Sequence, residues 1–150
     1  MIALIFAAAL AAQAPPVVET CAVVAAPRDY VGRKFTIRTT LGLTRHGSLL
    51  NFPRGDCQPI NYQTLEDSQA RQALVQIDEV MFGRDYWRRF KTKAPKIWLS
   101  LDLKVTVTGT MFCPTAKWPC VMQVTGLEDV VYPANFPQEM VPSGSRREDP

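Results

Sequence analysis

Phe35, Ile37, Thr39 and Leu41 alternate with polar neighbours. That period of two predicts a strand, entered through a tight turn at Gly32, where the absence of a side chain frees the backbone. A second strand is expected over Gly47 to Pro53, reached through Gly42 to His46 and stopped by the turn-forming run Pro53-Arg54-Gly55-Asp56. A third, short strand follows Cys57, from Ile60 to Gln63. At Thr64 the period changes. Ala70, Ala73, Leu74, Ile77, Val80 and Met81 recur at three- and four-residue spacing, while Glu66, Gln69, Arg71, Gln72, Gln76 and Glu79 take the other face. This predicts an amphipathic helix from Leu65 to Phe82, capped by Thr64 with Asp67 and stopped at Gly83. Period two then returns, with Ile97, Leu99, Leu101, Leu103, Val105, Val107, Gly109 and Met111 opposite Ser100, Asp102, Lys104, Thr106, Thr108 and Thr110. It marks the longest strand of the chain. A last strand, Val121 to Leu127, follows the loop Cys113 to Cys120 as the return of a hairpin. Upstream, Val17 to Ala26 forms a short helix or strand around Cys21 and ends at Pro27. From Tyr132 onward Pro133, Pro137 and Pro142 interrupt a stretch without apolar period, which predicts a mobile tail.

Three strands, one helix and two strands define a mainly β chain of α+β class. The order predicts a five-stranded OB-like barrel with its helix between the third and fourth strands. Gly109 suits a fourth strand that has to coil. A half-barrel with the helix packed on one face is the competing arrangement. The domain division that follows is residues 1–14 as a signal peptide, 15–131 as the OB-like domain and 132–150 as the tail. The segment Pro27-x-x-Tyr30-x-Gly32-Arg33-Lys34-Phe35-x-Ile37, with Leu49-Leu50 and Cys57 after it, resembles the opening of uncharacterised exported bacterial OB-fold-like proteins. The resemblance covers Cys21 to Asp129. It implies a fold and a binding habit, and it carries over no catalytic residues.

The first fourteen residues are uncharged and apolar, too short to span a bilayer, and end in Ala12-Gln13-Ala14. An apolar run followed by A-x-A is the pattern of a secretory signal peptide cut after Ala14. Pro15-Pro16 would hold the cleavage site extended. No Lys or Arg precedes the run, so one element of the pattern is missing. A buried N-terminal helix is the alternative reading, but no polar alternation defines a solvent face for it. A lipid-modified Cys21 is rejected, because Glu19 and Thr20 stand where small apolar residues would be needed.

Export changes the reading of the cysteines. Cys21, Cys57, Cys113 and Cys120 are even in number and lie in the exported part, so they read as disulfides rather than metal ligands. No pair has zinc-knuckle spacing, and His46 is the only histidine. Of three pairings, Cys21 with Cys57 and Cys113 with Cys120 is favoured, each closing one loop. The seven-residue step from Cys113 to Cys120 is too wide for a thioredoxin-like redox site.

The formal charge of +3 is unevenly placed. Arg84, Arg88, Arg89, Lys91, Lys93 and Lys96 face only Asp85, and Tyr86, Trp87, Phe90 and Trp98 are interleaved with them. Cations attract phosphate or sulfate, and flat rings stack on bases or sugars. The candidate ligand-binding set is therefore Arg84, Tyr86, Trp87, Arg88, Arg89, Lys91, Lys93 and Lys96. The plain alternative is that the rings cover the core and the charges are solvated.

Catalytic chemistry finds less support. His46 beside Arg45 has no positioned partner in a recognised motif, and no G-x-S-x-G element accompanies it. Asp56 and Asp102 are isolated, and Arg54-Gly55-Asp56 serves as a turn. The expectation is a periplasmic or secreted, non-enzymatic binding module for an anionic lipid, glycan or envelope protein. It would have no cofactor, no cytoplasmic nucleic acid as partner and no transmembrane span in the mature chain. An envelope hydrolase with a site assembled only in the fold, or a structural envelope component, are the rival classes. A basic groove would favour the binder, and a cluster of carboxylates the hydrolase. An exposed apolar patch or an unpaired sheet edge would favour the structural component.

Overall fold

The computed structural model describes residues 13–44, 47–52, 56–82, 100–115 and 117–150. In chain order they form helix α1 (Thr20–Ala25), a 3-10 turn (Pro27–Tyr30), β1 (Phe35–Thr44), β2 (Gly47–Leu50) and β3 (Tyr62–Thr64). Helix α2 (Gln69–Phe82), β4 (Ser100–Phe112), β5 (Val121–Tyr132), a second 3-10 turn (Gln138–Met140) and β6 (Arg146–Arg147) complete the order. The fold is mainly β with one main helix. Its open sheet of six strands runs β2-β1-β4-β5-β3, with β6 also on β5. β1, β2, β4 and β5 pair antiparallel, whereas β3 and β6 both lie parallel to β5. One more bridge, Leu50 with Ile60, hydrogen-bonded in both directions at 3.1 and 2.9 Å, joins the end of β2 to the chain just before β3.

The period read along the fourth strand is the period of burial. Leu101, Leu103, Val105, Val107 and Met111 are buried on one face of β4, and the even positions from Ser100 to Phe112 take the other. Phe35, Ile37, Leu41 and Leu43 of β1 meet them across the ladder. Helix α2 closes this core with Ala70, Leu74 and Ile77, one face at three- and four-residue spacing. It begins at Gln69 rather than Leu65. The expected cap, Thr64, is in β3 and pairs with Val124. Ser68 caps instead, its Oγ accepting from the Arg71 N–H at 3.2 Å.

Both long strands have edges filled by several short pieces. Along β1, the Thr36 N–H donates to the Pro16 carbonyl at 2.9 Å and the Val18 N–H to the Thr36 carbonyl at 2.8 Å. Further along, the Thr20 hydroxyl donates to the Arg38 carbonyl and the Asn51 N–H to the Thr40 carbonyl before β2 takes over. Along β5, β3 pairs at Met122 to Val124, the Gln69 side chain bonds Leu127, and β6 pairs at Val131 and Tyr132. Such patching removes the exposed N–H and C=O groups that invite strand addition.

The segment expected as a tail is folded against the sheet. Phe136 is fully buried and lies 4.5 Å from the Tyr132 ring, centroid to centroid. The Glu148 N–H bonds the Tyr132 carbonyl at 2.8 Å, and Arg147 donates to the Phe136 carbonyl at 3.1 Å. A lone aromatic between prolines has no period, but its area alone is enough to anchor the chain.

Both disulfides, Cys21 with Cys57 and Cys113 with Cys120, are formed in the favoured pairing. The first ties α1 to the loop after β2. There Asn51, in the left-handed region at φ 58°, donates from Nδ2 to the Cys57 carbonyl at 2.9 Å. The second closes the β4–β5 hairpin. Disulfides are the chemistry of an oxidising, non-cytoplasmic compartment. No helix among the described residues is long and apolar enough to cross a membrane.

Candidate functional site

The basic and aromatic set Arg84, Tyr86, Trp87, Arg88, Arg89, Lys91, Lys93 and Lys96 lies outside the described residues, as do Arg45, His46 and the Arg54-Gly55 pair. Asp102 lies on β4 opposite Gly42, where burial pushes its carboxyl up. Asp56 lies in the bend before Cys57. Among the described residues no three His, Cys, Asp or Glu side chains gather closely enough to hold a metal ion.

Two surfaces remain as candidates. The larger is an open trough of about 1010 Å³ on the outer side of β1, β4, β5 and β6. Its charges are matched, with Arg38, Lys104 and Arg146 against Asp129, Glu148 and Asp149. Lys104 bonds Glu148 at 2.6 Å, and the Thr106 hydroxyl donates to Asp129 at 2.9 Å. A trough without net sign selects neither anions nor cations, and an exposed ion pair such as Lys104–Glu148 is worth little on its own.

The second surface is at the end of the sheet where β1 begins and β4 turns into β5. The isolated bridge of Val31 with Met111 sets residues 28–34 beside the end of β4. Arg28 donates from its guanidinium to the Thr115 carbonyl at 3.0 Å, which holds the 3-10 turn against the hairpin loop. Gly32, at φ 72°, makes the turn between the 3-10 turn and β1. Tyr30 packs on Phe35 at 5.1 Å between ring centroids, so the core side of this corner is aromatic and filled. At this corner Val31 is 48 %, Phe112 46 % and Trp118 63 % exposed. The charged residues of the two segments are Arg28, Arg33, Lys34 and Lys117 against Asp29 alone, and all five are exposed.

No family model, no curated protein and no solved structure matches the chain. The candidate site therefore rests on its geometry alone. What that geometry offers is a fixed corner. The Cys113–Cys120 bridge closes the loop that carries Lys117 and Trp118, and the Arg28 bond and the Val31 bridge tie residues 28–31 to this end of the sheet. Apolar side chains and cations on a rigid mount can bind a ligand without paying to order the loop first.

None of Val31, Phe112 or Trp118 enters the candidate set read from sequence. A Trp between two cysteines is the signal that could have drawn attention to this loop, together with the Arg33-Lys34 pair just before a strand.

A separate polar cluster lies between β2, β3 and α2. Ser48 Oγ and the Tyr62 hydroxyl share a hydrogen bond at 2.6 Å. Burial pushes the Tyr62 phenol up, with the Ser48 bond working against it and Asp78 adding to it. Asp78 is itself raised by burial, opposed by Arg71. Both shifts are in the direction of the neutral acids.

Proposed function

We propose that the chain is an exported, non-enzymatic binding module built on an OB-like barrel, and that it holds an anionic ligand of the cell envelope at the Trp118 corner. The observation that carries the reading is the pairing of three exposed apolar side chains with four cations against one acid on a disulfide-closed mount. Of the two candidate surfaces the trough has matched charges, and the corner has a net positive sign.

The strand path supports the barrel. From β3 it passes through β5, β4 and β1 to β2, and the Leu50–Ile60 bridge leads from β2 back toward β3. The helix falls between β3 and β4, as in OB barrels. Export is supported by the two disulfides. Periplasmic or secreted residence follows on this reading.

The test is salt-titrated binding of the oxidised protein to a soluble polyanion such as long-chain polyphosphate, with R33E/K34E/K117E as the comparison. Tight binding that weakens with salt and is lost in the variant is expected. Equal retention of both proteins would move the site away from this corner, and retention of neither would end the anion reading.

A further inference from the structure

We propose that the Trp118 corner docks on an anionic lipid surface, with Trp118, Phe112 and Val31 entering the headgroup boundary and Arg28, Arg33, Lys34 and Lys117 lying against lipid phosphates. This inference rests on the anion-binding reading above and names the ligand of that same site.

The argument turns on the apolar half of the corner. A soluble polyanion can neutralise four cations, but it offers nothing to Phe112 at 46 % and Val31 at 48 % exposure. A membrane boundary offers both an apolar phase and a negative charge within a few ångströms, and an indole is the side chain best suited to the step between them. Basic residues beside such a surface add roughly five-fold each to the partition at low salt.

Geometry supports a surface-bound rather than a spanning state. The loop between Cys113 and Cys120 is closed by its disulfide, and Arg28 holds its backbone through the Thr115 carbonyl. Trp118, at 63 %, is the most exposed of the large apolar side chains described. The sheet edges near it are occupied, β1 by Pro16 to Val18 and β4 by β1 and β5, which leaves the corner's side chains rather than its backbone to make contacts. Shallow insertion of a few side chains backed by cations is weak per contact and depends on lipid charge.

The experiment is sedimentation of the oxidised full chain with vesicles of phosphatidylcholine and phosphatidylglycerol in equal parts, against vesicles of phosphatidylcholine alone, with polyphosphate binding measured in parallel. Binding to the charged vesicles alone is expected. R33E/K34E/K117E should lower it by about a hundred-fold or more, from the roughly five-fold per cation above, and W118S by about ten-fold or more, from the apolar area of the indole. F112S serves as a second apolar variant should W118S lose its cooperative thermal transition. K104A, a cation of the charge-matched trough, should leave vesicle binding unchanged. Equal binding to both vesicle types, or loss of binding only in K104A, would overturn the inference. Polyphosphate binding without vesicle binding would overturn it too while leaving the anion-binding reading standing, and binding to neither would end both.

Discussion

The side-chain amide of Gln69 and the backbone of Leu127 exchange two hydrogen bonds: Nε2 donates to the Leu127 carbonyl at 2.9 Å, and the Leu127 N–H donates to Oε1 at 2.7 Å. A glutamine at the first residue of α2 thereby acts as one residue of an extra strand. It fills the β5 edge between β3 and β6, and it docks the helix in the same step. Leu127 is itself buried, so its backbone groups have little water to turn to if the amide is removed.

Q69A should therefore cost about 1–2 kcal/mol, the range for stranding buried backbone groups with partial access to solvent. Q69E should cost at least as much, because it keeps an acceptor for the N–H but brings a carboxylate against the carbonyl. Urea unfolding of the oxidised proteins checks both. The midpoint should fall at constant slope, and an unchanged midpoint for Q69A would show that the pair contributes nothing.

How much of this arrangement is legible along the chain depends on whether a residue's role is periodic. The core faces of β1 and β4 are, and so are Ala70, Leu74 and Ile77 on α2. The cysteine pairing is legible from loop closure once the four cysteines are read as disulfides. Gln69 is not, since it stands on what reads as the polar face of the helix, and its partner lies 58 residues away. β6 is two residues long and cannot show a period, and Phe136 sits alone among prolines. The site shows the same division. Density of charge and aromatics in one stretch draws attention to residues 84–96. The Trp118 corner is assembled from two pieces 87 residues apart at the Arg28–Thr115 bond, each unremarkable by itself.

Gly109 marks a second place where backbone geometry dictates the residue. The β4–β5 register shifts between Thr108 and Gly109. A side chain at Gly109 would run into the Gln123 carbonyl oxygen, with the Gln123 carbonyl carbon at 3.0 Å and Met122 Cε at 3.2 Å. The methionine can move, but the β5 backbone is held on both edges. G109A should cost about 1–3 kcal/mol, as overpacking in a fixed site does. G126A, whose nearest neighbour would be at an ordinary 3.4 Å, is the control and should cost less. Equal midpoints for the two in urea would remove the argument for a close backbone approach at Gly109.

Tyr132 should contribute to the loss of stability at alkaline pH. Its ring is fully buried against Phe136, and its hydroxyl finds no hydrogen-bond partner among the described residues. Burial pushes the phenol from 10.0 up to about 12. In the folded state it keeps its proton over a window in which the unfolded chain has lost it. Its contribution to stability is thus complete below the unfolded value and is lost as pH rises from about 10 to about 12, by up to roughly 3 kcal/mol. Y132F should flatten that part of the decline and leave stability near neutrality equal or higher, since it removes a buried hydroxyl without a partner. Tyr62, raised in the same direction, keeps a share of the alkaline slope. A decline as steep in Y132F as in the parent would assign it to other groups.

The two disulfides should separate stability from binding. Cys21 and Cys57 are 36 residues apart and Cys113 and Cys120 only seven, so chain entropy assigns about 4 kcal/mol to the first bridge and about 2.5 to the second. C21S/C57S should be the less stable variant. It frees α1 from the loop held by Asn51, but it leaves the hairpin that carries Trp118 closed. C113S/C120S should lose less stability and more vesicle binding, because the loop would then have to be ordered on each encounter, at about 0.5–1.5 kcal/mol for each side chain immobilised. Urea midpoints and vesicle sedimentation on both variants, at a temperature where each is folded, give the comparison. If C21S/C57S weakens vesicle binding more than C113S/C120S does, the closed hairpin is not what holds the binding surface in place.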